Sequence, residues 1–135
     1  MGYPIKKIEG IGDVYKKKLN DVGIKNTDQL LEKGKTPKGR KELEKASGIG
    51  HKLILEWVNL ADLMRIKGVS EEYSDLLEEA GVDTVKELKN RKPENLYEAM
   101  KKTNEKKKLV RKLPSLKNVE KWVNQAKELP PMVKY

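Results

Sequence analysis

Apolar residues recur at helical spacing in short runs punctuated by glycine and proline, and no alternating pattern of useful strand length appears. Val14, Leu19 and Val22 mark a helix over 13–22, which Gly23 ends as a C-cap residue. Asn26 or Thr27 caps the next helix, which carries Leu30 and Leu31 and stops at Gly34. Thr36 then serves as N-cap and Pro37 as the first residue of a third helix reaching Ala46, and a longer helix covers 51–65. In the second half the same reading predicts helices over 71–80, 84–90, 94–102, 105–112 and 116–128, with Asp83, Pro93 and Pro114 as boundaries. The stretch from Leu129 to Tyr135 contains Pro130-Pro131 and is expected to be extended. The fold class that follows is all-α.

Comparing the chain with itself reveals a duplication. A shift of 58 residues places Ile8-x-Gly10-Ile11 on Ile66-x-Gly68-Val69, Tyr15 on Tyr73, Leu19 on Leu77, Gly23 on Gly81, Ile24 on Val82 and Leu30 on Leu88. Further on, Trp57-Val58-Asn59-x-Ala61 matches Trp122-Val123-Asn124-x-Ala126 with a shift of 65, so seven residues are inserted between Leu88 and Trp122. The expected organisation is repeat one over 1–65 and a degenerate repeat two over 66–135 that includes the extended tail. Together they would pack as one compact helical unit.

Gly10-Ile11-Gly12 and Gly48-Ile49-Gly50 each precede a helix. Two glycines two apart permit a tight turn with positive φ. The isoleucine between them can plug the turn into a core. The second glycine opens a helix whose free N–H groups point outward, where the macrodipole is positive. That arrangement suits a phosphate. Net charge is +9, with 38% of residues charged, which favours polyanions as partners, although a lysine-rich helical protein can carry the same excess for solubility or heat stability.

The turns differ in their surroundings. Lys16, Lys17 and Lys18 follow the first, and His51 and Lys52 follow the second, with Lys38, Arg40, Lys41 and Lys45 on the helix before it. The third, Gly68-Val69-Ser70, opens into Glu71 and Glu72, and residues 66–88 hold two lysines against seven acids. The fourth, Leu113-Pro114-Ser115-Leu116, has no glycine. The last two are therefore expected to be structural. The basic run from Lys101 to Lys112 reads either as a solvated face or as an electrostatic side wall. Trp57 and Trp122, at equivalent positions, are expected in the core, and Tyr15 and Tyr73, also equivalent, are expected in the core or in support of the hairpins.

Cysteine is absent, which excludes disulfide scaffolds, thiolate metal sites and cysteine nucleophiles. The N-terminal residues lack the apolar core of a signal peptide, and the most apolar stretch, Leu53 to Met64, is too short to span a bilayer, so the expected location is cytoplasmic. His51 is the single histidine and has no catalytic constellation around it. No Walker loop, HExxH or nucleophile elbow is present, and no cofactor or metal is expected.

The segments Ile8-Glu9-Gly10-Ile11-Gly12-Asp13-Val14-Tyr15-Lys16 and Ser47-Gly48-Ile49-Gly50-His51-Lys52 resemble the helix-hairpin-helix motif of DNA repair, replication and recombination proteins. The resemblance implies a clamp in which turn amides and a lysine hold one backbone strand without reading bases. Lys52 matches that lysine, whereas the first copy has Val14 there. Over its whole length the chain is also similar to an uncharacterised prokaryotic family of tandem helix-hairpin-helix repeats, a domain of unknown function, through Thr36-Pro37-Lys38-Gly39-Arg40, the segment from Trp57 to Val69 and the segment from Lys108 to Ser115. The catalytic Gly-Pro-Asp run of glycosylases built on this motif is absent. The expected function is non-enzymatic, sequence-independent binding of the DNA backbone through Gly10, Ile11, Gly12, Lys16, Lys17, Gly48, Ile49, Gly50, His51 and Lys52. The alternative is a protein–protein adaptor acting through repeat two, or a non-catalytic accessory subunit.

Overall fold

The computed structural model describes residues 2–135, and among these it contains eight α-helices and one isolated bridge, Pro4 with Asn26, but no strand. A 3-10 turn, Ile5–Lys7, is followed by α1 (Asp13–Asp21), α2 (Thr27–Gly34), α3 (Pro37–Ser47), α4 (His51–Leu63), α5 (Glu71–Glu79), α6 (Val85–Leu88), α7 (Pro93–Lys107) and α8 (Leu116–Glu128). The all-α expectation holds. By contact the chain divides into two compact units. One runs up to Asp62 and takes in Met132–Tyr135, and the other is Leu63–Pro131.

In the first unit α1 and α2 both pack on α3. Ile5, Ile8, Leu19, Ile24, Leu30, Ile54, Trp57 and Val58 are almost fully buried. The second unit has its own apolar cluster, which includes Ile66, Val69, Leu76, Leu77, Val82, Val85, Leu88, Val119 and Trp122. There α7 packs on α5 and α8, and α6 also rests on α8.

Local contacts recur between the units at the spacing that the sequence repeat sets. Tyr15 meets Trp57 edge-on with ring centroids 5.0 Å apart, and Tyr73 meets Trp122 at 5.3 Å. Asn26 caps α2 by accepting from the Gln29 amide, and Thr84 caps α6 by accepting from the Glu87 amide. The Gln29 and Glu87 side chains reach back to accept from the Lys25 and Asp83 amides, so both helices begin with a reciprocal cap. After α1 the Lys33 ammonium donates to the Val22 carbonyl, and after α5 the Arg91 guanidinium donates to the Gly81 carbonyl, each satisfying an orphan acceptor at a helix C-terminus. Gly10 (φ +94°) and Gly68 (φ +95°) turn the chain in the left-handed region directly against the two tryptophans. A Cβ at Gly10 would lie 3.4 Å from the Trp57 Nε1, and one at Gly68 would lie 3.1 Å from the Trp122 Nε1.

The structure departs from the sequence reading in three places. First, 94–102 and 105–112 do not form separate helices. α7 runs unbroken to Lys107, because Thr103-Asn104 contains no helix breaker, and it ends where Lys108 turns left-handed at φ +50°. The Asn104 side chain then fastens the exit by donating to the Val110 carbonyl and accepting from the Val110 amide. Second, α6 is a single turn rather than a helix over 84–90. Third, the extended tail is divided from the second repeat. Met132–Tyr135 belong to the first unit, where the Lys134 amide donates to the Lys35 carbonyl.

The glycine turn against Trp122 yields a stability prediction. Gly68→Ala forces a side chain into positive φ and toward a fixed indole, so urea unfolding should show a loss of about 1–3 kcal/mol.

Candidate functional site

All ten residues expected to contact nucleic acid lie in the first unit, on its two Gly-Ile-Gly turns and the helices they open. Ile11 and Ile49 are buried, while Gly10, Gly12, Lys16, Lys17, Gly48, Gly50, His51 and Lys52 are exposed. The isoleucines are therefore anchors and the glycine backbone faces solvent. Both turns are tied to α4. The second opens it, and the first rests on Trp57, six residues into that helix and therefore about 9 Å along its axis.

Gly48 carries the left-handed conformation (φ +75°) and closes α3, donating its amide to the Glu44 carbonyl. Ser47, which sequence reasoning passed over, sets the turn: its hydroxyl donates to the Leu43 carbonyl and accepts from the Ile49 amide. A serine just before a C-capping glycine is the signal that could have revealed it. No atom lies within 4 Å of a Cβ built on Gly12, Gly48 or Gly50, and Gly12 sits in extended backbone at φ −91°. Crowding within the chain therefore requires glycine at none of the three, and Gly12 is not required by its backbone angle either. Gly12 offers the start of α1 no side-chain cap. The first turn of α4 contains no acid, and it holds His51 and Lys52 where the macrodipole disfavours positive charge.

The start of α1 is compensated in a way the lysine count concealed. Asp13 occupies its first turn and accepts a hydrogen bond from the Lys6 ammonium at 2.6 Å. That bond and the charge of Lys6 hold the Asp13 carboxyl below the ordinary carboxylate value, and Lys16 contributes in the same direction. Lys18 lies 5.9 Å from the Tyr15 ring centroid. The first turn of α4 thus carries cations without an acid, whereas that of α1 carries Asp13.

Arg40, counted with the basic neighbours of this turn, is corrected by the structure. It is only 2% exposed and donates to the Gly34 and Lys134 carbonyls, so it is not available to an external phosphate. Burial pushes its guanidinium down from the usual arginine range.

The counterparts in the second unit behave differently. α5 begins with Glu71 and Glu72, and Ser115 caps α8 by accepting from the Asn118 amide. Pro114, in the place of Ile49, is buried. At the end of α7, Lys107 bonds to Glu79, which raises its ammonium above the ordinary lysine value, with Asp75 and Glu78 adding to the effect. Part of the basic run therefore faces the acids of α5.

Among the described residues no group of three or more metal-ligating side chains could hold an ion, and no helix is long and apolar enough to cross a membrane. An open cleft of about 430 Å³ lies over Val22, Leu43 and Ala46 and contains none of the ten residues.

The Lys6–Asp13 pair can be checked by a carboxyl pH titration followed by NMR. Asp13 should titrate below an ordinary aspartate, and Lys6→Ala should move it upward. Because the folded value is depressed, what the pair adds to stability is present above the unfolded aspartate value and lost as pH falls through the folded one.

No curated protein and no solved structure matches the chain. A family model does match, over residues 9–129, and on that basis the chain belongs to the family described as Domain of unknown function (DUF4332).

Proposed function

We propose that the first unit is a helix-hairpin-helix clamp that binds the DNA phosphate backbone without reading sequence, and that the Gly48–Gly50 turn is its principal contact. The observation that carries this reading is the contrast between Gly50 and Ser115. The two occupy equivalent places in the repeat. In the second unit the serine hydroxyl occupies the first-turn amide of α8. In the first unit the same place holds a glycine with open space above it, before a helix start that bears His51 and Lys52. Serine is among the favoured N-caps. Glycine there offers the amides of α4 no acceptor of its own and lets a phosphate oxygen approach them.

Lys52 supplies charge beside those amides, and Lys16 and Lys17 supply it one turn into α1. The Gly10–Gly12 turn would hold a second, weaker phosphate site, weakened by Asp13. Such contacts position a duplex and specify no sequence. The acids at the start of α5 and the Lys107–Glu79 pair keep the second unit out of this interface.

Two turns would engage about four phosphates. With a slope of about −0.9 per phosphate, raising salt from about 50 to 200 mM should weaken duplex binding about a hundredfold in a fluorescence anisotropy titration. Binding that ignores salt, or no binding at low salt, refutes the clamp.

Gly50→Ser offers a sharper test. By analogy with Ser115 it should keep or slightly raise the unfolding free energy in urea, by about 0.5 kcal/mol, while filling the amide that phosphate needs. Its DNA affinity should fall together with that of Lys52→Glu, whereas Glu72→Lys should leave affinity unchanged or strengthen it. Wild-type affinity in both Gly50→Ser and Lys52→Glu would favour the adaptor reading instead.

A further inference from the structure

Arg40 is the one buried cation among the described residues, and two backbone carbonyls accept from its terminal nitrogens. Buried charge is costly unless its donors are satisfied. One terminal nitrogen donates to the Gly34 carbonyl at 2.7 Å, while Nε is buried with no protein acceptor. The other terminal nitrogen donates, at 2.6 Å, to the carbonyl of Lys134, ninety-four residues away. The core of the first unit therefore contains a guanidinium that is only completed by a backbone carbonyl from a distant extended segment.

The rest of the surroundings fit such a segment. The Lys35 carbonyl accepts from the Lys134 amide at 2.7 Å, so Lys134 is held by both of its backbone groups. Val133 on one side is buried to 8% exposure. Tyr135 on the other donates its hydroxyl to the Asn59 carbonyl oxygen at 3.2 Å and lies under the Arg40 guanidinium, 6.0 Å from ring centroid to cation. Backbone pairing fixes register, and the flanking side chains set specificity, as in peptide recognition by strand addition. The Lys134 side chain is exposed and carries no part of the recognition.

We propose that this is a peptide-binding site for an extended apolar-x-tyrosine segment, and that it accepts Val133–Tyr135 from a second copy of the chain as well as from its own. The exchange follows from how the segment is attached and held. It follows α8 through Leu129-Pro130-Pro131, which has no helix or strand; the prolines keep that connector extended and give it no amides, and its Pro130 carbonyl accepts from the Arg65 guanidinium at 2.8 Å, so exchange pivots on the residues after Pro130. Its contacts include the buried Val133, the backbone bonds of Lys134 and the Tyr135 bond to Asn59. A copy that received the segment from its neighbour would form the same contacts, so the closed and exchanged forms would differ only in connector geometry and association, the condition under which swapping is cheap.

The test uses a fluorescein-labelled peptide of residues 129–135 against two receptors, the chain ending at Pro131 and the full-length Val133→Asp variant, which retains the site but carries a poor segment. Circular dichroism verifies folding, and if the shortened chain is unfolded, Val133→Asp supplies the result. Saturable binding is expected to the emptied site and not to the intact chain, and a peptide carrying the Val133→Asp change should bind at least about tenfold more weakly. In sedimentation velocity the intact chain should show a dimer fraction that grows between micromolar and millimolar concentration and that disappears in Val133→Asp. Failure of the peptide to bind either receptor, or equal binding of the altered peptide, overturns the peptide site. An intact chain that stays monomeric throughout overturns the exchange.

Discussion

The architecture of each unit depends on the contact between a tryptophan and a glycine turn. The indole of Trp57 lies beneath Gly10 and beside Tyr15, and that of Trp122 lies beneath Gly68 and beside Tyr73. With phenylalanine absent, these indoles are the largest apolar side chains the chain has. Their placement fixes three elements at once: the turn, the helix after it and the long helix that carries the ring. Positive φ at the glycine is the geometric condition for the approach, and at Gly68 a Cβ would also stand in tight contact with the indole nitrogen.

Upon this shared frame the two units carry different surfaces. After the turn at Gly10 comes Asp13 held by Lys6, and after the turn at Gly48 come His51 and Lys52 with no acid. After the turn at Gly68 come two glutamates, and ahead of α8 stands a serine that caps it. Acids, lysines and a capping serine thus give the four helix starts different local charge and capping. Duplication preserved packing positions and left these starts free to diverge, since a change at an exposed first turn leaves the core untouched.

Much of this was readable beforehand, and for stated physical reasons. Spacing of 3.6 residues, capping residues and glycine stops are local signals, so α1, α2, α3 and α5 emerged from the sequence with errors of a residue or two at their ends. α7 did not, because Thr103-Asn104 resembles a cap, and whether an asparagine starts a helix or fastens the exit of the previous one depends on where Val110 lies. The roles of Arg40 and Asp13 were equally hidden. Charge counting treats every arginine and lysine as surface, whereas Arg40 is enclosed by a segment ninety-four residues distant, and Lys6 is occupied by a neighbouring carboxylate. Ile11 and Ile49 were legible as buried plugs because an isolated apolar residue between two glycines has no other local role.

The seven residues that separate the repeats in length have a definite location. α7 begins at Pro93, two residues earlier than a shift of 58 from Pro37 would place it, and has fifteen residues where α3 has eleven; eight residues from Lys108 to Ser115 then replace the three of Gly48–Gly50, which leaves a net gain of seven. Neither change reaches the Tyr73–Trp122 pair, while Val110 and Asn104 bind the longer path back to the unit. The connection ahead of the tryptophan helix is thus a length-tolerant joint: in one copy it is a tight glycine turn, and in the other an eight-residue loop. The same scaffold can therefore acquire new recognition loops at this joint by insertion alone, a route to diversification that needs no repacking of the core.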